Sequence, residues 1–174
     1  MIKSSLPQSS GFTIIEVLLY CALFITISAM LIGSLLGMMK GYNGTRINND
    51  LLDSGQVAME RMTREIRGAV SVNTGSSTFA TSPGVLLLNS LDSSGTAKTV
   101  RFGLSSGVLQ ITDSTDGTAR DLTGSKVSVT SLIFRNVVTT NDTAVRVEMT
   151  VQSTRSGTGK SITLYNTIVL RGGY

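Results

Sequence analysis

Residues 17 to 39, VLLYCALFITISAMLIGSLLGMM, contain no Asp, Glu, Lys or Arg, and this run constrains the chain's fold more than any other feature. As a helix rising 1.5 Å per residue it would be about 35 Å long, slightly more than the roughly 30 Å hydrocarbon layer of a bilayer. A secretory signal has an apolar core of about 7 to 15 residues followed by a small-x-small cleavage site. This run is longer and ends in SLLGMMKGYNG, which offers no such site. The sequence therefore predicts one membrane-crossing helix near the N-terminus.

A plain anchor leaves Glu16 unexplained. It lies in GFTIIEVLLYC and is the one carboxylate between Lys3 and Lys40. An acid within the apolar layer costs on the order of 2.5 to 3.5 kcal/mol at a helix centre, less near the interface. The preceding segment, MIKSSLPQSSG, is short and polar and ends on Gly11, the residue easiest to fit as an extended segment into a protease cleft. A cut after Gly11 would create an ammonium group on Phe12. In a parallel bundle shifted by about one turn, Glu16 of one chain would meet the Phe12 amine of the next, so that docking offsets the cost of burying each charge. The acid would then set the register of assembly.

The segment GFTIIEVLLYCALFI resembles the cleavage and methylation segment of type IV prepilins and of the pseudopilins of type II secretion systems. The resemblance implies that a membrane-embedded prepilin peptidase cuts after Gly11, that Phe12 becomes the N-methylated N-terminus, and that Glu16 guides subunit docking. It also implies partners: other pilin or pseudopilin subunits, the inner-membrane assembly platform and membrane lipid. One departure is the absence of a proline about twenty residues past the cut, where this chain has Gly33, followed by Gly37, Gly41 and Gly44. Each interior Gly weakens a helix by roughly 1 kcal/mol relative to Ala, which would permit stretching, whereas small residues four apart also let membrane helices pack closely.

Beyond Lys40 the pattern becomes amphipathic. Ile47, Leu51, Gly55, Ala58, Met62, Ile66 and Ala69 recur every three or four residues and form one apolar stripe for a sheet to cover. Glu60 with Arg64 and Arg61 with Glu65 are i, i+4 pairs that support a helix in water or contact neighbouring subunits. After Val72 a Ser, Thr and Gly-rich loop follows, and Pro83 excludes further helix. Period-two alternation then runs through Val100, Phe102 and Leu104; Leu109 and Ile111; Val127 and Val129; Val145, Val147, Met149 and Val151; and Ile162, Leu164 and Ile168. Turn clusters such as DSTDG and STRSGTG separate these runs, as in antiparallel hairpins.

The expected fold is α+β and pilin-like: a long N-terminal helix, half transmembrane and half amphipathic, packed on an antiparallel meander sheet. The expected divisions are a leader over 1–11, a transmembrane and assembly helix over 12–40, and a soluble domain over 41–174. Within that domain an amphipathic helix covers about 42–70 and a sheet about 84–170.

Composition narrows the function classes. There are 15 basic against 11 acidic residues, the basic ones strewn along the chain, and aromatics make up 5%, so no basic and aromatic platform for direct nucleic-acid binding is evident. The chain has no His, and its one cysteine, Cys21, lies in the apolar run. General base, thiol nucleophile and zinc site therefore lack their usual parts, and neither an enzyme nor a cofactor is expected. Cys21 allows no intrachain disulfide, and Tyr20 stands where lipoprotein processing demands a very small residue. TRSGTGKS, residues 154 to 161, falls one Gly short of a phosphate-binding loop and is followed by strand-like ITLYNTIVL where that motif needs a helix. Asp113, Asp116 and Asp121 lack the spacing of a calcium loop. Asn43 and Asn141 begin sequons, which matter only where such sites are glycosylated.

The expected role is a structural subunit at or near a filament tip, in a pilus or a type II secretion filament. MERMTREIR and ITLYNTIVLRGGY are most similar to minor pilins and the J-type pseudopilin. The alternative is a filament-presented binding module, an adhesin or a DNA-uptake tip subunit. Lys3 on one side against Lys40 and Arg46 on the other leans weakly against a cytoplasmic N-terminus. The resemblance requires one, since the leader must meet a cytoplasmic peptidase; the soluble domain is then extracytoplasmic, first on a single-pass membrane protein and later in a periplasmic or cell-surface filament.

Overall fold

The computed structural model describes residues 11–138, 143–155 and 159–171. The chain divides into two compact units, Met1–Gly44 and Thr45–Tyr174. Residues 1–10 of the expected leader, the Asn141 sequon and residues 156–158 of TRSGTGKS lie outside the described residues.

Thr13 starts the helix α1 (Ile14–Gly68). Its Oγ1 accepts the Glu16 N–H at 3.4 Å, and its carbonyl accepts the N–H groups of Glu16 and Val17 at 3.1 and 3.2 Å. A Thr cap with a Glu three residues on is a helix-start signature. In the first unit nearly every side chain of α1 is exposed, Phe24, Ile25, Leu31, Ile32 and Leu35 among them. Thr26, one of few hydroxyls there, returns its Oγ1–H to the Leu23 carbonyl at 2.8 Å and so satisfies itself within the helix. One stretch of α1 is thus long and apolar enough to cross a membrane.

In the second unit α1 has the expected stripe: Ile47, Leu51, Gly55, Ala58, Met62 and Ile66 are buried, and Ala69 is buried just past the helix end. Arg67 in the last turn faces the negative end of the helix dipole. Gly55 permits the closest approach of helix to sheet, because a Cβ built there would lie 2.5 Å from Leu164 Cδ1. The pairs Arg61–Glu65 (2.8 Å) and Arg64–Glu60 (3.3 Å) form along the helix surface.

Eight strands follow: β1 (Ser71–Val72), β2 (Leu86–Leu91), β3 (Ala97–Ser105), β4 (Val108–Asp113), β5 (Ala119–Asp121), β6 (Val127–Val138), β7 (Thr143–Ser153) and β8 (Ser161–Val169). All pairings are antiparallel, in accord with an α+β class. The expected single sheet is instead two, ordered β1-β2-β3-β4-β5 and β6-β7-β8. The division arises where the chain leaves β5: Leu122 and Thr123 still bond Leu109, but beyond Gly124 the next strand turns away. The outer edge of β6 is then met by other backbone, with Ala80 N–H on the Phe134 carbonyl (2.8 Å), Gly84 N–H on the Leu132 carbonyl (2.8 Å) and Val129 N–H on the Gly107 carbonyl (2.7 Å). Gly84 is needed at that seam, since a Cβ there would stand 3.0 Å from both the Leu132 carbonyl oxygen and Phe134 Cδ2. Phe102, Phe134, Leu86, Leu88, Leu132 and Met149 fill the core with the α1 stripe.

Candidate functional site

The N-terminal end of α1 carries the three residues singled out in the sequence. Gly11 is exposed just ahead of the helix, and a Cβ added there would have nothing within 4 Å. Phe12 is 75% exposed, and Glu16 sits in the first turn. Tyr20 joins the last two: its hydroxyl donates to Glu16 Oε1 at 3.1 Å, and its ring meets the Phe12 ring edge-on at 6.4 Å between centroids and 75° between planes. Residues 12, 16 and 20 are four apart, the spacing that stacks side chains on one helix face. One row thus presents an exposed ring, a half-buried carboxylate and an exposed phenol.

Sequence reasoning treated Tyr20 only as an obstacle to lipoprotein processing. Its place four residues after Glu16 was the signal that it would touch the acid. Cys21, next to it, is exposed on the helix and faces no second thiol among the described residues. Gly33, Gly37 and Gly41 lie within α1 with open space where a Cβ would be. Met38, Met39, Tyr42 and Asn43 frame a shallow apolar hollow of about 250 Å³ at the end of the charge-free run.

The second unit distributes its charged groups into pairs. Asp113 accepts from Lys98 Nζ at 2.7 Å and from the Thr115 N–H at 2.9 Å; the lysine, then the backbone bond, hold its carboxyl down at about 2. Asp116 pairs with Arg120, and Asp121 Oδ1 accepts from Gln110 Nε2 at 2.8 Å. The three aspartates are engaged with different partners, and among the described residues no group of three or more His, Cys, Asp or Glu is arranged to hold a metal ion. Ser161, the last residue of TRSGTGKS, opens β8, a strand rather than a helix.

On the outer face of the β6-β7-β8 sheet the Arg146 guanidinium lies 5.8 Å from the Tyr165 ring centroid, and Arg135 and Arg146 share Glu148, each at 3.1 Å. Comparison with protein-family models, with curated proteins and with solved structures returned no match for this chain.

Proposed function

We propose that the chain is a structural subunit of a filament of the type IV pilin or pseudopilin class, working by assembly rather than catalysis, at or near the filament tip. The observation that carries this reading is the row Phe12, Glu16 and Tyr20, placed at the start of a helix whose next 18-residue apolar window has none of its residues buried within the chain. So much uncovered apolar surface requires lipid before assembly and other helices after it. In this account a prepilin peptidase cuts between Gly11 and Phe12 and methylates Phe12. Glu16 then meets the Phe12 amine of a neighbouring subunit supplied through the assembly platform. The sheeted unit lies outside the membrane, and direct nucleic-acid contact has no part in the role.

The second reading, a binding module displayed on the same filament, draws on Arg135, Arg146 and Tyr165. It stands second because Glu148 pairs with both guanidinium groups and offsets one of their two charges, which leaves a single net positive charge on that face. The test is Glu16→Ala. Loss of a charge eases insertion, so the variant should enter the membrane and lose its leader normally, yet fall at least tenfold in crosslinking to neighbouring subunits, since the abandoned amine remains charged in low dielectric. Glu16→Gln should fall between the two, because an amide accepts a hydrogen bond but brings no opposing charge. Crosslinking of Glu16→Ala at the parent level would remove the docking role.

A further inference from the structure

Three strand ends of the sheeted unit meet where its part of α1 begins. The Lys126 carbonyl accepts the Thr154 N–H at 3.1 Å and the Lys160 carbonyl accepts the Ser153 N–H at 2.9 Å, so the start of β6, the end of β7 and the start of β8 form one corner. Both lysines reach α1: Lys160 Nζ donates to Asn48 Oδ1 at 3.1 Å, and Lys126 Nζ stands 3.6 Å from Asp50 Oδ1. Neither contact takes up the charge in full. The Asn48 amide is neutral, and the Lys126–Asp50 pair is long, with the lysine side chain 61% exposed. Arg46, two residues before Asn48, is exposed and meets no carboxylate among the described residues. With the half-buried Arg155 the corner has four cations against Asp50 and Asp53, an excess of two positive charges.

At the other end of the strands, the end that Gly68 and β1 reach, Lys98 donates to Asp113 at 2.7 Å and Arg120 pairs with Asp116, so carboxylates hold these cations directly. The basic corner is instead the one that the charge-free run feeds. Asn48 stands nine residues beyond Met39, so however the two units are disposed the chain keeps this corner within about 32 Å of the run's end. Lys40, the first residue after the run, adds a further cation to the same stretch. With residues 17–39 in a bilayer, so short a tether presents the corner to the lipid surface at an effective concentration on the order of millimolar, where a few charges decide how often it touches.

We propose that this corner, through Arg46, Lys126 and Lys160, binds anionic lipid headgroups and holds the sheeted unit on the surface of the membrane that residues 17–39 cross. The proposal rests on the reading of that run as a membrane span. An ammonium group on a flexible stem suits the task, since it meets a headgroup phosphate as a point charge and needs no fixed geometry. Lys160 has only to exchange the Asn48 amide for a phosphate oxygen. The attraction acts over about 8 Å at physiological ionic strength and is screened away in high salt. Withdrawal from the bilayer into a filament breaks the contact, which therefore belongs to the unassembled subunit.

The test uses the full chain with Cys21→Ser, so that one introduced cysteine carries a fluorophore, at Ser125 beside Lys126 or, as control, at Ser93 in the turn between β2 and β3. Both positions are exposed. The chain is reconstituted into vesicles of phosphatidylcholine alone or with about 30% phosphatidylglycerol, both leaflets alike so that the direction of insertion does not matter, and each with the same content of a headgroup-spin-labelled lipid as quencher. The expected result is at least threefold stronger quenching at Ser125 with phosphatidylglycerol than without, no such difference at Ser93, and loss of the difference in about 0.5 M NaCl. Arg46→Gln, Lys126→Gln and Lys160→Gln combined should abolish the difference at an unchanged urea midpoint; the salt arm leaves these residues intact and decides the matter if the triple variant does not fold. Equal quenching at Ser125 in the two lipids, an equal rise at Ser93, or a rise that survives salt or the folded triple variant would each overturn the proposal. Flotation separates the two readings: a chain that floats with the phosphatidylcholine vesicles but shows no lipid difference keeps its span and loses the basic contact, whereas a chain that does not float with them loses both.

Discussion

Tyr20 holds Glu16: its hydroxyl donates to the carboxylate at 3.1 Å while its ring rests edge-on against Phe12. Under the proposed docking role this bond orients the acid and is secondary to its charge. Tyr20→Phe keeps the ring and removes the donor, a change of about 1 kcal/mol and so about fivefold. Recovery in sheared filaments should fall by that order, and by less than for Glu16→Ala. An equal loss for the two variants would make the phenol, not the carboxylate, the group that docking requires.

Gly55 lets α1 settle on β8. Gly55→Ala gains about 1 kcal/mol of helix propensity against a shift of the Leu164 methyl that a Cβ would meet at 2.5 Å, so its net effect should be small. Gly55→Leu has no such room and should destabilise the sheeted unit by about 1–3 kcal/mol. Urea midpoints at unchanged slope measure both; a stabilised Gly55→Leu would mean that helix and sheet are not in close contact there.

Asp113 ties β4 to β3 through Lys98. Its ordinary carboxyl value of 3.8 is lowered to about 2 in the fold, chiefly by the lysine and then by the Thr115 N–H. Lowered pKa means that the folded state favours the ionised form, so this stabilisation is present above about pH 4 and is lost as pH falls toward 2. Asp113→Asn should therefore unfold at lower urea than the parent at pH 7, and the difference should shrink steadily between pH 4 and 2. A pH-independent difference would place the effect in packing rather than in the ion pair.

The helix was legible because its pattern is strict: Ile47 through Ala69 recur at helical spacing, and all seven positions are buried. Strands with clean alternation, β3, β4, β7 and β8, were legible for the same reason. β6 was read only through Val127 and Val129, because the register shift between Val129 and Ser131 moves the inward positions to Leu132 and Phe134. β2 escaped notice since Leu86, Leu87 and Leu88 form an apolar run without alternation, and β1 and β5 are too short to show a period. The split into two sheets depends on backbone bonds from Ala80, Gly84 and Gly107, which composition does not reveal. At the N-terminal site Phe12 and Glu16 were legible from GFTIIE, whereas the link through Tyr20 needed the helix geometry.

The most direct measurement of the central claim is the intact mass of the membrane-extracted chain from a host with a prepilin peptidase. The account predicts a protein beginning at Phe12 and heavier than residues 12–174 by one methyl group, with Gly11→Val leaving the leader attached. Recovery of the parent chain from that host with residues 1–11 still in place would contradict it.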